Sequence, residues 1–284
     1  MAARKVNRHE YAACAQFLEP AKSCSGAAAQ LLWRVSVDQG NILDEEEWFV
    51  NGDKWEQARA LVSIQRTSER INCCVYAKAL EDASNLFEAL KDKISWREEV
   101  MIASLDDSLK PLISSLALRE GATQTFEEEC FFFSLDEFVP PEALLNHEGA
   151  GRIRRLTKED GEVVDGTWKY RSGTSLSRIQ DQIACRLSAG IEDKESGELA
   201  AWALEQSSGC IGMVFTQEGY RRKGYAKQVV GTLTADIWQA FATGSCPTAP
   251  FAYIVRDNLN SQGLFESLNY KRKGAVCWCR YGKA

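Results

Sequence analysis

The sequence predicts an α+β protein in two parts, on three observations. Residues 211–241 read as an apolar strand (Ile211 to Thr216), a basic turn containing Gly224 and a long helix. Short apolar runs alternate with stretches of helical spacing from residue 71 to the end of the chain. Val139-Pro140-Pro141, followed by Asn146 to Gly151, forms the strongest run of structure breakers. It divides the chain into domains 1–145 and 146–284.

In order along the chain, 10–17 and 27–33 are candidate helices. Trp48 to Asp53 reads as a strand running into an Asn-Gly turn. Residues 71–77 form a strand. Leu80, Ala83, Leu86, Phe87 and Leu90 mark a helix over 80–93. A strand at 100–104 leads into a helix at 106–118, which Gly121 ends. Residues 126–134 form a strand finishing in Phe131-Phe132-Phe133.

The second part opens with a short strand at 153–156, and Thr157 is placed to cap the turn after it. Leu176, Ile179, Ile183 and Leu187 share one face of a helix over 175–187. Turns at Ser196-Gly197 and Ser207-Ser208-Gly209 bracket a strand at 199–204. Strand 211–216, helix 224–241, strand 251–255, helix 258–268 and strand 272–280 complete the order.

Composition excludes several classes. Of the 284 residues, 45% are hydrophobic and 26% charged, values of a soluble globular chain. No apolar run is long enough to span a bilayer, so no membrane partner is expected. Ten cysteines and two histidines include no C-x-x-C pair, so no metal site is expected. The thiols read as reduced core residues in a cytoplasmic protein. The first nine residues are basic and lack acid, which is also compatible with a mitochondrial leader. Residues 1–150 carry a net charge of −11 and residues 151–284 a net of +5. The basic half suits an anionic ligand. Its scattered cations and missing stacking motif argue against nucleic acid.

The chemistry concentrates at 210–230. A helix N-terminus leaves backbone N–H groups unpaired and carries partial positive charge. A loop that aims those groups outward, with Arg221, Arg222 and Lys223 beside it, is suited to a phosphate or pyrophosphate. Gly224 lets the backbone approach it.

The order Arg221-x-x-Gly224-x-Ala226 after a strand resembles the acyl-CoA signature of the GCN5-related N-acetyltransferase (GNAT) superfamily. Asn258, Ser261, Phe265 and Leu268-Asn269-Tyr270 resemble its closing pattern. The layout and Ser208-Gly209 followed by Tyr220-Arg221 resemble the glycine N-acyltransferase-like (FR47-like) branch. The resemblance covers the second half and implies a GNAT fold there, with acetyl-CoA or another acyl-CoA as co-substrate. It implies that Arg221, Arg222, Lys223, Gly224, Tyr225 and Ala226 hold the pyrophosphate. A β-bulge around Val214-Phe215-Thr216 would expose an N–H to the thioester carbonyl, and Asn258 would bond the pantetheine arm. The implied activity is acyl transfer to the amine of a small molecule or amino acid.

Two catalytic positions depart from the pattern. Where glycine N-acyltransferases place a proposed glutamate base, ten residues before Tyr220, this chain has Cys210. Where the superfamily commonly has a tyrosine acid, it has Phe265. Ser261, one helical turn earlier, could donate a proton, and Glu205 could act as a base through water. Cys210, Ser261 and Glu205 are therefore the candidate catalytic residues, each with a purely structural alternative. A catalytically weak CoA-binding scaffold and a protein N-acetyltransferase stand as alternative functions. Residues 101–116 also align without gaps on 253–268, which suggests a degenerate GNAT-like first half. No Arg-x-x-Gly-x-Ala occurs there, so that half would bind no CoA.

Overall fold

The computed structural model describes residues 3–37, 46–138 and 151–283. The linker at 139–150 and the boundary at 145/146 lie outside the described residues. Strands β1 (Ala3–Lys5), β2 (Glu46–Asn51), β3 (Ala60–Arg66), β4 (Ile71–Ala77), β5 (Val100–Asp106) and β6 (Thr123–Ser134) alternate with helices α1 (Tyr11–Leu18), α2 (Gly26–Val37), α3 (Leu80–Ala89) and α4 (Lys110–Arg119). Strand β7 (Gly151–Arg154), helices α5 (Gly161–Thr167) and α6 (Ser175–Cys185), and strands β8 (Ser188–Asp193), β9 (Leu199–Glu205) and β10 (Ile211–Thr216) follow. Helix α7 (Tyr225–Ala242), strand β11 (Phe251–Val255), helix α8 (Leu259–Glu266) and strand β12 (Lys271–Gly282) close the chain.

The chain forms two compact units that interleave, unlike the single cut expected from sequence. The first holds Met1–Phe132, Ile254–Asp257 and Arg272–Ala284, and the second Phe133–Tyr253 and Asn258–Lys271. The physical reason is strand pairing. In the eight-stranded sheet, ordered β1-β2-β3-β4-β5-β12-β6-β11, the C-terminal strand lies between β5 and β6. It pairs antiparallel with β5, from Val276 opposite Asp106 to Tyr281 opposite Val100. Tyr281 is buried there, edge-on to Trp96 at 5.6 Å, with its hydroxyl 2.9 Å from Ser114 Oγ.

Strand β3 pairs along its whole length with β4 and from Leu61 to Gln65 with β2, and its first five residues are buried. Sequence reading passed over this strand although its apolar run is plain. The alignment of 101–116 on 253–268 falls on equivalent elements, β5 with α4 and β11 with α8.

In the second unit the four-stranded sheet runs β10-β9-β8-β7. Strand β9 is buried at every residue, which explains its unbroken apolar run Leu199 to Leu204. Strand β8 was not foreseen. Its sequence, Ser-Ala-Gly-Ile-Glu-Asp, has little β-propensity, and packing explains the glycine: a Cβ on Gly190 would stand 2.7 Å from Leu156 Cδ2 and 2.9 Å from Leu199 Cδ1. Helix α5, with Gly161 and Gly166, was also missed. Thr157 does cap the turn at Lys158–Asp160, in a reciprocal capping box with Asp160. Val229, Val230, Leu233 and Ile237 form the buried face of α7.

Candidate active site

Strand β10 reaches the site with one extra residue. Gly212 stands opposite Leu204 and Phe215 opposite Trp202, so three steps on β10 match two on β9. Met213 takes φ +50° inside this bulge. A bulge breaks the ladder and re-aims the strand. The bulge therefore covers Met213 and Val214, at the N-terminal end of the expected stretch Val214-Phe215-Thr216. The cause is the left-handed Met213, an unbranched residue that nothing in the sequence singles out. Among the described residues β10 has no parallel partner: β11 belongs to the other sheet.

The turn after β10 is also left-handed in two places. Arg222 has φ +60°, and Gly224 has φ +80° and ψ 0° as the N-cap of α7. Four non-glycine residues among those described have positive φ, and Met213 and Arg222 are two of them. Strain of this kind, about 1–3 kcal/mol per residue, persists where surrounding structure over-determines it, often at functional sites. Gly224 is needed first for its own backbone. A Cβ there would meet no atom within 4 Å, so the space beside the helix terminus is open. The first turn of α7 contains no acid. An N-terminus so exposed fits an anionic pyrophosphate.

The three cations of the turn are held differently. Arg221 Nε donates to the Thr216 carbonyl at 3.4 Å. Lys223 Nζ lies 5.0 Å from the centre of the Tyr220 ring, and Arg222 is exposed. Tyr225 opens the helix with its backbone, but its ring is only 3% exposed and stacks near Tyr220 at 6.3 Å. Burial raises its phenol above the ordinary value, and its hydroxyl has no hydrogen-bond partner among the described residues.

Beyond the turn is a cleft of about 200 Å³ lined by Val214, Phe215, Thr216, Ala226, Asn260, Ser261 and Leu264. Five of these were expected at the site. Asn260 and Leu264 were missed, although Leu264 follows Ser261 at helical spacing on one face of α8. The Thr216 hydroxyl is buried without a hydrogen-bond partner among the described residues.

Asn258 lies at the start of α8, but its Oδ1 accepts the Ser261 N–H at 3.0 Å. Its oxygen is therefore a helix cap. The proposed contact to a pantetheine arm falls to its amide nitrogen.

The candidate acids and bases separate clearly. Ser261 lines the cleft. Cys210 does not. It is 3% exposed, and its thiol lies 3.3 Å from Gln206 Oε1 and 3.1 Å from Ser208 Oγ. Burial pushes that thiol up to about 12, which corrects its reading as a base. Glu205 is 7% exposed, and its carboxylate accepts the Leu187 N–H at 3.1 Å, tying β9 to the end of α6. It too lies outside the cleft lining, so any role as a base would have to run through water. Phe265 is 2% exposed and packs edge-on against Tyr270 at 5.0 Å. Tyr270 in turn bonds Thr234 Oγ1 at 2.8 Å. Among the described residues no cluster of three or more His, Cys, Asp or Glu could hold a metal ion.

Residues 188–279 match the family described as FR47-like protein, spanning β8, the bulge, the turn and most of β12. That stretch is similar to the FR47-like family. Solved structures extend the fold likeness to the whole chain. A Drosophila protein superposes with a TM-score of 0.79 at 19% identity, over 98% of this chain and 97% of that one. A GCN5-related N-acetyltransferase from Sphaerobacter thermophilus gives 0.58 at 15%, over 98% and 94%. A tandem GNAT protein of the clavulanic acid biosynthesis pathway gives 0.56 at 10%, over 98% and 97%. The likeness in fold therefore extends over both halves of the chain.

Proposed function

We propose that the FR47-like domain is an acyl-CoA-dependent N-acyltransferase acting on the amine of a small molecule, with acetyl-CoA the default donor. The observation that carries this reading is the joint presence of the β10 bulge, the left-handed turn at Arg222 and Gly224, and an acid-free helix N-terminus around one cleft. Each feature alone is common. Together they form a binding groove for a pyrophosphate with a reactive arm beside it. Among the described residues no helix is long and apolar enough to cross a membrane.

Acyl-CoA supplies an acyl group already activated as a thioester. The turn and the first residues of α7 bind the phosphates through backbone N–H groups and adjacent cations. The bulge frees backbone at Met213 and Val214 from the β9 ladder, so an N–H can donate to a carbonyl oxygen that gains negative charge. Ser261 Oγ has no partner among the described residues and is the group best suited to protonate a leaving thiolate, directly or through water. No lining residue can act as a strong base, so catalysis rests mainly on positioning.

The test is mass-spectrometric detection of acylated amine with wild type and Ser261→Ala. Product from the wild type, with kcat falling about a hundredfold in the variant and acetyl-CoA affinity retained, supports the reading. A fall of no more than about twofold removes Ser261 from the chemistry. Acetyl-CoA binding without product from any amine favours the alternative, a catalytically weak CoA-binding protein, which the burial of Cys210 and Phe265 already suggests.

A further inference from the structure

Tyr220 stands at the entry of the basic turn between β10 and α7. That turn holds two residues with positive φ, Arg222 at +60° and Gly224 at +80°. Glycine adopts such a conformation freely, but arginine does not, so the structure around Arg222 must impose it. The exit of the turn is fixed by α7. Its entry is fixed twice. The Gln217 N–H donates to the Ala200 carbonyl at 2.9 Å, and Gln217 Nε2 donates to the Leu199 carbonyl at 2.5 Å. One turn of 3₁₀ helix, Glu218–Tyr220, follows. The Tyr220 hydroxyl then donates to Glu198 Oε2 at 3.2 Å and lies 3.1 Å from Ser196 Oγ.

Both partners belong to the turn that joins β8 to β9, and that turn is firmly built. Asp193 Oδ1 accepts the Ser196 N–H at 2.9 Å, the Glu195 N–H at 3.2 Å and the Ser196 hydroxyl at 3.0 Å. The bond from the Ser196 amide is the main cause that holds the Asp193 carboxyl below its ordinary value, and the charge of Lys223 adds to it. Ser196 Oγ accepts the Glu198 N–H at 3.2 Å. The Tyr220 ring makes contacts of its own. Lys223 Nζ lies 5.0 Å from its centre, and the Tyr225 ring stacks near it at 6.3 Å and 24°. One side chain thus ties the β8–β9 turn to both ends of the stretch that carries Arg222.

We infer that Tyr220 is a positioning residue for acyl-CoA: bonded to Glu198 and stacked near Tyr225, it holds residues 221–224 in the shape that receives the pyrophosphate. The inference rests on the acyltransferase reading and names a residue, away from the cleft lining, on which the affinity of that site depends. A turn held in shape before the ligand arrives has little ordering entropy left to lose on binding. The role of Glu198 separates this account from simple electrostatics. By charge alone, removing a carboxylate near a basic turn should tighten an anion. Removing the acceptor of the Tyr220 hydroxyl should loosen the turn and weaken the same anion.

The test is calorimetric titration with acetyl-CoA of wild type, Tyr220→Phe, Tyr220→Ala, Glu198→Ala, Glu198→Gln and the double variant Tyr220→Phe/Glu198→Ala. Kd should rise about fivefold in Tyr220→Phe and in Glu198→Ala, each of which removes one hydrogen bond. Loss of the ring as well should bring the rise to about thirtyfold in Tyr220→Ala. The double variant should bind about as well as either of its single parents, because both remove the same bond. Glu198→Gln keeps an acceptor oxygen and should stay within about twofold of the wild type. An unmoved Kd in Tyr220→Phe, tighter binding by Glu198→Ala, or losses that add in the double variant overturn the inference alone, as long as the wild type binds acetyl-CoA. Should Tyr220→Ala fail to fold by circular dichroism, the Tyr220→Phe and Glu198 variants decide. Failure of the wild type to bind acetyl-CoA overturns the underlying reading, and this inference with it.

Discussion

The two halves repeat one passage of strand, turn and helix, and treat it in opposite ways. In the second half β10 ends in a bulge, a left-handed turn and a helix whose first turn has no acid. In the first half β4 runs through Lys78 and Ala79 straight into α3, and Glu81 and Asp82 occupy that helix's first turn. Those carboxylates satisfy the positive end that would otherwise attract a phosphate. The next step differs as well. Strands β4 and β5 form a parallel ladder from Ile71 opposite Val100 to Cys74 opposite Ala103, whereas β10 and β11 belong to different sheets.

Where the first-half ladder stops, the protein fills the space itself. Ser104, with φ +44°, donates to Gln30 Oε1 of α2 at 2.9 Å and touches Cys74 Sγ at 3.4 Å. Asp106 accepts from Ser25 Oγ at 2.7 Å, at the start of α2. On the proposed function, the difference teaches that this topology alone does not make a cofactor site. The site needs an open strand end, a turn able to adopt positive φ, and an unoccupied helix terminus.

The contrast can be broken at several points. The largest effect is expected at the strand that closes the first half. Tyr281→Ala should cost about 3–5 kcal/mol in urea denaturation, by emptying the space against Trp96 and orphaning Ser114 Oγ. A cost below about 1 kcal/mol would mean that β12 does not hold that unit together.

Next is Asp106. Burial raises its carboxyl from 3.8 to about 6, despite the Ser25 hydroxyl and the Gly26 and Ala27 amides bonded to it. The folded state therefore holds the proton more tightly than the unfolded state. Its stabilising effect is complete below about pH 4 and lost as pH rises through about 6. Two pKa units correspond to at most about 3 kcal/mol. Stability of wild type relative to Asp106→Asn should fall between pH 4 and 6, and a flat or rising difference would remove the buried carboxyl from the account.

A smaller effect is expected in the second half. Asn258→Ala removes the α8 cap, which should cost about 1 kcal/mol and lower turnover through Ser261. Unchanged stability and kcat would show that the start of α8 is held by other contacts. The smallest is Phe265→Tyr. Its added hydroxyl would lie in the core against Tyr270, so stability should drop by about 1–2 kcal/mol and kcat should not rise. A rise in kcat would show that this position faces the chemistry after all.

The ease of reading these halves from sequence follows from the same physics. Strands Ile71–Ala77, Ile211–Thr216 and Phe251–Val255 were legible to the residue because their apolar runs end at turns. The turn at Arg221 to Ala226 was legible because only glycine suits its left-handed cap. Long-range pairing was not legible. Nothing local in Lys271 to Gly282 says that its partner is Val100 to Asp106. Strand β8 was hidden by small residues that serve close packing. The bulge at Met213 and the burial of Cys210 and Glu205 depend on what packs around them, and residue type alone does not reveal that.

The central claim is one acyl-CoA site per chain, in the second half. The most direct test is calorimetric titration with acetyl-CoA of wild type, Gly224→Trp and Ala79→Trp, the last at the corresponding helix cap of the first half. The account predicts a single site in the wild type, lost in Gly224→Trp and unchanged in Ala79→Trp, with both variants folded by circular dichroism. Two sites per chain, no binding, or binding that survives Gly224→Trp and disappears in Ala79→Trp would contradict it.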